Sequence, residues 1–512
     1  MNIQLRKLGA VLIVAVLTAA GCGGSSGGGD SVSPPPPPPP PPSGGIVRTG
    51  VAVGAGPITG FGSVIVNGVT YNTDGATFTR DDNPSSQEDF KVGETVIVKG
   101  TIDDDNSNAV AESVELDEIV EGPVSSLNVD GSLTVLGQTV TIALDTSVDD
   151  SCPASLDDAG IAAVEVFGNV DANGVIAATR IECKTALEVD DYEINGTVSN
   201  LNAGGFTFSI NGLQVNYSAA TVDDNFPGGQ ISEGDPVEVK ALVGGLDDNV
   251  TPPVLTASKV EYKGGVLAGD EGDHYEVDGF ISDFVSASQF NLRVGSLVIA
   301  VTTNSSTVYE GGSAADLGNN LKVEVEGELD GDNNLLATKI EIKTSTNIRV
   351  VGLVDAVSTA NSTITILSIT INTDTLKTRF EDKSELRIEP FSIADVTVGD
   401  YVEARGQEQP VGEITAFLIE RDDADQDSEL RGFVEDGSVV DRSEFVILGV
   451  TVDTSNVSPG NYFSEDENGV ATQISADAFW TAVGTGGVIV DVTGTETGDA
   501  VLEARELQLE ME

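Results

Sequence analysis

A six-residue pattern that recurs along the chain sets the strictest limit on what it folds into. It reads Ala-x-x-apolar-Glu-apolar and begins at Ala111, Ala178, Ala257 and Ala337, with weaker copies at Ala416 and Ala504. Successive copies start 67 to 88 residues apart. Ahead of them runs a second signature, an alternating strand ending near glycine, as from Thr95 to Gly100, Ala163 to Gly168, Lys322 to Gly327 and Tyr401 to Gly406. Short turns around Gly93, Gly234 and Gly399 introduce several of these strands. Repetition at this period predicts six copies of one small unit, and a chain of 512 residues is too long for a single core.

Each unit reads as all-β. Val and Ile alternate with Glu, Lys and Thr at the two-residue period of a half-buried strand. Asn67-Gly68 and Asn211-Gly212 lie between apolar runs, where two residues tolerant of positive φ predict tight hairpins. Leu136-Gly137, Val294-Gly295 and Leu448-Gly449 hold the same place, while the fifth unit departs with Leu367-Ser368. Five or six strands in so short a unit suit a small closed barrel, OB-like or another Greek key, which removes exposed sheet edges. The expected boundaries are 54–121, 122–190, 191–268, 273–346, 347–424 and 428–512. Helix is expected only as single turns at 475–482 and 393–396. Linkers are short, so neighbouring units should touch; six in line would reach on the order of 170 Å.

Composition narrows the partners. The chain carries 83 Asp and Glu against 25 Lys and Arg, a formal net charge of −58, which repels nucleic acid and excludes it as a partner. Hydrophobic residues make up 39 % and are periodic, so this acidity belongs to folded domains. It reads either as a solvated surface or as divalent-cation binding.

The first 42 residues read as an address and a stalk. Arg6 and Lys7 precede a continuous apolar run too short to span a bilayer, and Ala20-Gly21 then stand directly before Cys22. This resembles the lipobox of bacterial lipoproteins, which implies a signal peptide over 1–21 and a lipid on Cys22, although Ala19 stands where Leu is commoner. A Gly/Ser leash and nine prolines, Pro34–Pro42, follow, predicting a disordered tether over 22–53. The run from Phe61 to Gly68 (FGSVIVNG) followed by Val92 to Gly100 (VGETVIVKG) extends the likeness. Tether and units together resemble uncharacterised bacterial lipoproteins with tandem repeats of a small all-β domain of unknown function. The resemblance implies an outer-envelope lipoprotein held to the membrane through Cys22 and supplies no activity. Gly23 rather than Asp follows the cysteine, which implies the outer membrane, on its periplasmic face or at the cell surface.

Catalytic hardware is sparse. The single histidine, His274, falls in an acidic joint and is expected as a solvated linker residue. Outside the Gly/Ser leash, where low complexity produces the spacing by itself, neither a Gly-x-Ser-x-Gly elbow nor a phosphate-binding glycine loop is found. We therefore assign no catalytic residue and expect no enzyme. Cys152 and Cys183 share the second unit and predict a disulfide in an oxidising compartment. Asp423, Asp425 and Asp427 alternate in one acidic joint as oxygen ligands for calcium would, although no segment matches an EF-hand loop. The leading reading is a non-catalytic, lipid-anchored envelope protein for spacing, adhesion or protein docking. The alternatives are oligosaccharide- or peptide-binding modules, with Phe61, Tyr71 and Phe78 the one crowded aromatic set, and a calcium-stiffened surface rod. An envelope protein or a glycan is the partner these readings name.

Overall fold

The computed structural model describes residues 52–510, apart from 81–82, 103–107, 129–130, 154, 157–159, 265–268, 296, 344–345, 410–411, 424–426, 466–470, 485 and 499. The signal peptide, most of the tether and Cys22 lie outside the described residues, as does Asp425.

The fourth unit shows the plan. Its first strand, His274–Ser286, pairs antiparallel with Gln289–Val294, which pairs antiparallel with Leu297–Thr302. That third strand runs parallel to the fifth, Leu335–Ile342. The fifth is antiparallel to the fourth, Lys322–Leu329, which returns antiparallel to the first. The ring 1-2-3-5-4-1 is closed, the strand order of an OB-like barrel. All six units repeat it, and the tandem small barrels are therefore as the repeat predicts. Between third and fourth strands most units add a short strand parallel to the fifth, as Val308–Glu310 does.

The two sequence signatures are one structural device. In five units the fourth strand slips by a residue against the fifth at its glycine: Gly100, Gly168, Gly327, Gly406 and Gly494. Each faces the motif alanine of the fifth strand, and a Cβ on any of them would sit 2.0–2.3 Å from a carbonyl oxygen. The bulge sharpens the local twist, which a barrel this small needs to close. The third unit has Ala241 in place of glycine, and there the fifth strand breaks between Val254–Thr256 and Lys259–Tyr262.

Several details depart from expectation. The second barrel's first strand begins at Glu118, ahead of the boundary at 122, because Glu118–Gly122 pairs with its own fourth strand. In the fourth unit Val294 pairs with Leu297, so the hairpin turn opens at Gly295, one residue later than its motif suggested. Leu367-Ser368 adopts the same double positive φ as Asn67-Gly68 without Asn or Gly, held by the strands on either side. The helix Ala476–Val483 is longer than a single turn, because Phe479 and Trp480 pack on Phe445 and fill the sixth core. His274 is not a solvated linker residue: it lies in the first strand of the fourth barrel at 6 % exposure.

The barrels are not arranged in chain order, which removes the in-line rod. First strands join them in three pairs. The second and third barrels meet antiparallel, with Glu121 opposite Glu193 and Val120 opposite Ile194. The fifth and sixth meet antiparallel from Arg349 opposite Arg431 to Val351 opposite Glu429. The first barrel passes over its chain neighbour and pairs parallel with the fourth, Ala52–Ala55 against His274–Val277. The second and third barrels share one continuous core, and so do the fifth and sixth.

Candidate functional site

The chemistry-bearing side chains gather where barrels from different pairs meet, and strand geometry explains why. The third strand of the second barrel, Gln138–Val148, leaves register with its parallel partner between Ile142 and Ser147. Backbone carbonyls in that stretch are free of the ladder and must find donors elsewhere. Cations of the fifth barrel supply them. Within that stretch Arg405 donates to the carbonyls of Leu144 and Thr146 at 3.0 and 3.2 Å and Arg379 to that of Asp145. Arg379 also donates to the carbonyl of Thr179 on the fifth strand, and Lys383 to that of Val148, just past the stretch, at 3.0 Å.

Arg180 ties three barrels together. It is 3 % exposed and pairs with Asp149 and Glu182 of its own barrel and with Glu381 of the fifth at 3.2 Å. It also donates to the carbonyl of Val92 in the first barrel at 3.1 Å, beside Thr179 donating to that of Gly93 at 2.8 Å. Gly93 needs its positive φ of 88°, and a Cβ there would press on Arg379, Arg180 and the Thr179 carbonyl. Asn169 does the same work toward the fourth barrel: its amide donates to Asp278 and accepts from the backbone N–H of Gly295, each at 2.7 Å.

The first, second, fourth and fifth barrels enclose a cleft of about 470 Å³. Lys322, Lys343, Lys377 and Arg379 reach its wall beside Asp278, Glu324 and Glu341. Lys343 and Lys377 grip the two oxygens of Glu341 at 2.9 and 2.7 Å, the second across the barrel boundary. Burial works against its charge, but Lys343 and Lys377 hold the Glu341 carboxyl down to about 2. Burial wins at Glu276, in the seam of the first and fourth barrels. It is pushed up to about 9, with Glu324 and Glu326 adding to the rise. Glu121 is likewise raised to about 8 by burial, Lys184 opposing and Glu165 and Glu193 contributing.

Cys152 and Cys183 are bonded, with Cα atoms 4.9 Å apart. Asp423 and Asp427 have separate duties: Asp423 accepts from the backbone N–H of Glu385 at 3.0 Å, and Asp427 pairs with Arg505. Among the described residues no three His, Cys, Asp or Glu side chains converge as a metal-ligand group. Of the crowded aromatic set, Tyr71 and Phe78 are core and Phe61 packs against that core half-buried. Sequence reasoning missed Arg180, Arg379, Arg405 and Asn169. For the three arginines the available signal was scarcity, since a cation within a strand of so acidic a chain has a specific partner; Asn169 carried no such signal.

No curated protein sequence matches the chain. A family described as a domain of unknown function, DUF5666, matches five tandem segments, 55–115, 121–182, 195–261, 278–341 and 351–420. Each segment spans one of the first five barrels, and together they cover more than half of the sequence. The sixth barrel, with the same ring, lies beyond the matched segments. This chain belongs to the DUF5666 family.

Proposed function

We propose that this is a non-catalytic, lipid-anchored envelope protein that presents a block of joined β-barrels for spacing, adhesion or protein docking. One observation carries the reading: the buried and half-buried cations between barrels, with the strongest chemistry available, bond the backbone of neighbouring barrels. Arg180, Arg379 and Arg405 all do so. Such groups are held rigid and paired, which suits a scaffold and leaves them little freedom to act on a substrate. The lipobox-like Ala20-Gly21-Cys22 supports attachment to the outer membrane, and the Gly/Ser/Pro tether supports display at a distance from it. The partners in this reading are the membrane through Cys22 and an envelope protein or glycan.

Labelling cells with a clickable palmitate analogue tests the anchor. The full chain should carry label and fractionate with the outer membrane, and Cys22→Ser should lose both. Label-free wild-type protein in the soluble fraction would remove the anchored reading. In-cell crosslinking followed by mass spectrometry should recover an envelope protein in the docking case.

A further inference from the structure

We propose that the cleft among the first, second, fourth and fifth barrels binds a neutral oligosaccharide. Its volume of about 470 Å³ falls within the range of small-ligand pockets. Charge decides the class of ligand. Every charged side chain on the wall already has a partner. Lys322 pairs with Asp278 at 3.5 Å and Lys343 with Glu324 at 2.9 Å. Lys377 pairs with Glu341 at 2.7 Å and Glu310 with Lys339 at 3.5 Å. Arg379 is spent on Thr179 and Asp145. An anionic or cationic ligand would have to open one of these pairs and leave a partner uncompensated, at a cost that offsets what the new pair gains.

A polyol meets no such obstacle. An ammonium has three donors and a carboxylate several lone pairs, so a Lys–Glu pair on the wall retains hydrogen-bonding capacity beyond its ion pair. Adjacent donors and acceptors are what vicinal hydroxyls need, since each hydroxyl both donates and accepts. The neutral groups Gln409 and Thr415 add to that lining. Phe417 supplies the apolar counterpart. It is half-buried on the outward side of the fifth barrel, is the one aromatic among the described residues of the cleft wall, and would pack on the C–H side of a sugar ring. The cleft is assembled from four barrels, so this site belongs to the joined block and not to a single repeat. It does not depend on the lipid anchor.

The test is calorimetry of the full soluble chain against neutral glucan, mannan, galactan and N-acetylglucosamine oligosaccharides of three to six rings. Oligogalacturonate and sulfated galactan serve as charged counterparts. A neutral oligosaccharide should bind, and Phe417→Ala and Gln409→Ala should each weaken it at least tenfold without altering circular dichroism. Both side chains face outward, so the fold is expected to persist. The proposal is overturned if no neutral member binds, if a charged oligomer binds as tightly as the best neutral one, or if Phe417→Ala leaves the affinity within twofold.

Discussion

Gly327 faces Ala337 at the point where the fourth strand of the fourth barrel slips by one residue, and the carbonyl of Leu336 stands 2.3 Å from where a Cβ on Gly327 would lie. Backbone, not a pliable side chain, occupies that space. Gly327→Ala should therefore cost about 2–3 kcal/mol, because the bulge must open to admit a methyl group. Gly318→Ala is the control, since nothing lies within 4 Å of its Cβ position and its φ is ordinary. That change should stay within about 0.5 kcal/mol of wild type or stabilise slightly. Urea denaturation of both variants measures the contrast.

Arg180 and Arg387 both pair across the second and fifth barrels, yet they should respond very differently to removal. Arg180 is buried against Asp149, Glu182 and Glu381, so Arg180→Met should cost about 3 kcal/mol by leaving buried carboxylates short of charge. Arg387 and Asp150 are both exposed, and Arg387→Ala should stay within about 0.5 kcal/mol. Thermal midpoints at two salt concentrations would separate them, the exposed pair alone being salt-sensitive.

The pH dependence follows from carboxyls in the seams. Glu276 holds its proton up to about 9, whereas an unfolded glutamate releases it near 4.5. The folded state thus binds more protons in that window, and stability falls as pH rises through it. Glu324 and Glu326 face Glu276 and add to the effect, Lys339 and Lys377 oppose it, and the Tyr71 phenol beside it is itself pushed up by burial. Glu341, held at about 2 despite its burial, acts the other way and loses its contribution as pH falls through the window below 4.5. Stability should be greatest in mildly acidic solution. Glu276→Gln should flatten the decline between pH 6 and 9 in a series of thermal melts, and an unchanged slope would rule out this seam as its source.

Reduction of Cys152–Cys183 opens a loop with a sequence separation of 31, a loss of about 3–4 kcal/mol on loop-closure grounds. The bridge also steadies the turn in which the Cys152 N–H donates to the carbonyl of Asp149, the residue gripped by Arg180. Reductant should therefore lower the urea midpoint of wild type and leave a Cys152→Ser/Cys183→Ser double variant unmoved.

Much of a single barrel was legible because it is local. Alternation marked the strands, and the glycine ending the strand ahead of each motif alanine, 11 residues before it at Gly100 and 10 at Gly406, turned out to be the site of the bulge. The joining of barrels was not legible. Alternation says that Arg180 and Glu381 point away from their own cores but carries no information on which neighbour covers them. The same limit hid the cleft, whose walls come from four separate stretches of chain. His274 was misplaced because its acidic neighbours read as a linker, while its strand position is imposed by pairing with Glu328 and with Ala52.

The parallel seam between the first and fourth barrels has a consequence during synthesis. Ala52 and His274 are 222 residues apart, so at ordinary translation rates the first barrel emerges on the order of 10–40 s before its partner strand exists. Through that interval the edge Ala52–Ala55 carries no lysine, proline or other guard against pairing with a foreign strand. Two nascent copies side by side present the same bare edge to each other. Yield of correctly assembled protein should thus fall with expression rate well before any limit set by the stability of the finished molecule.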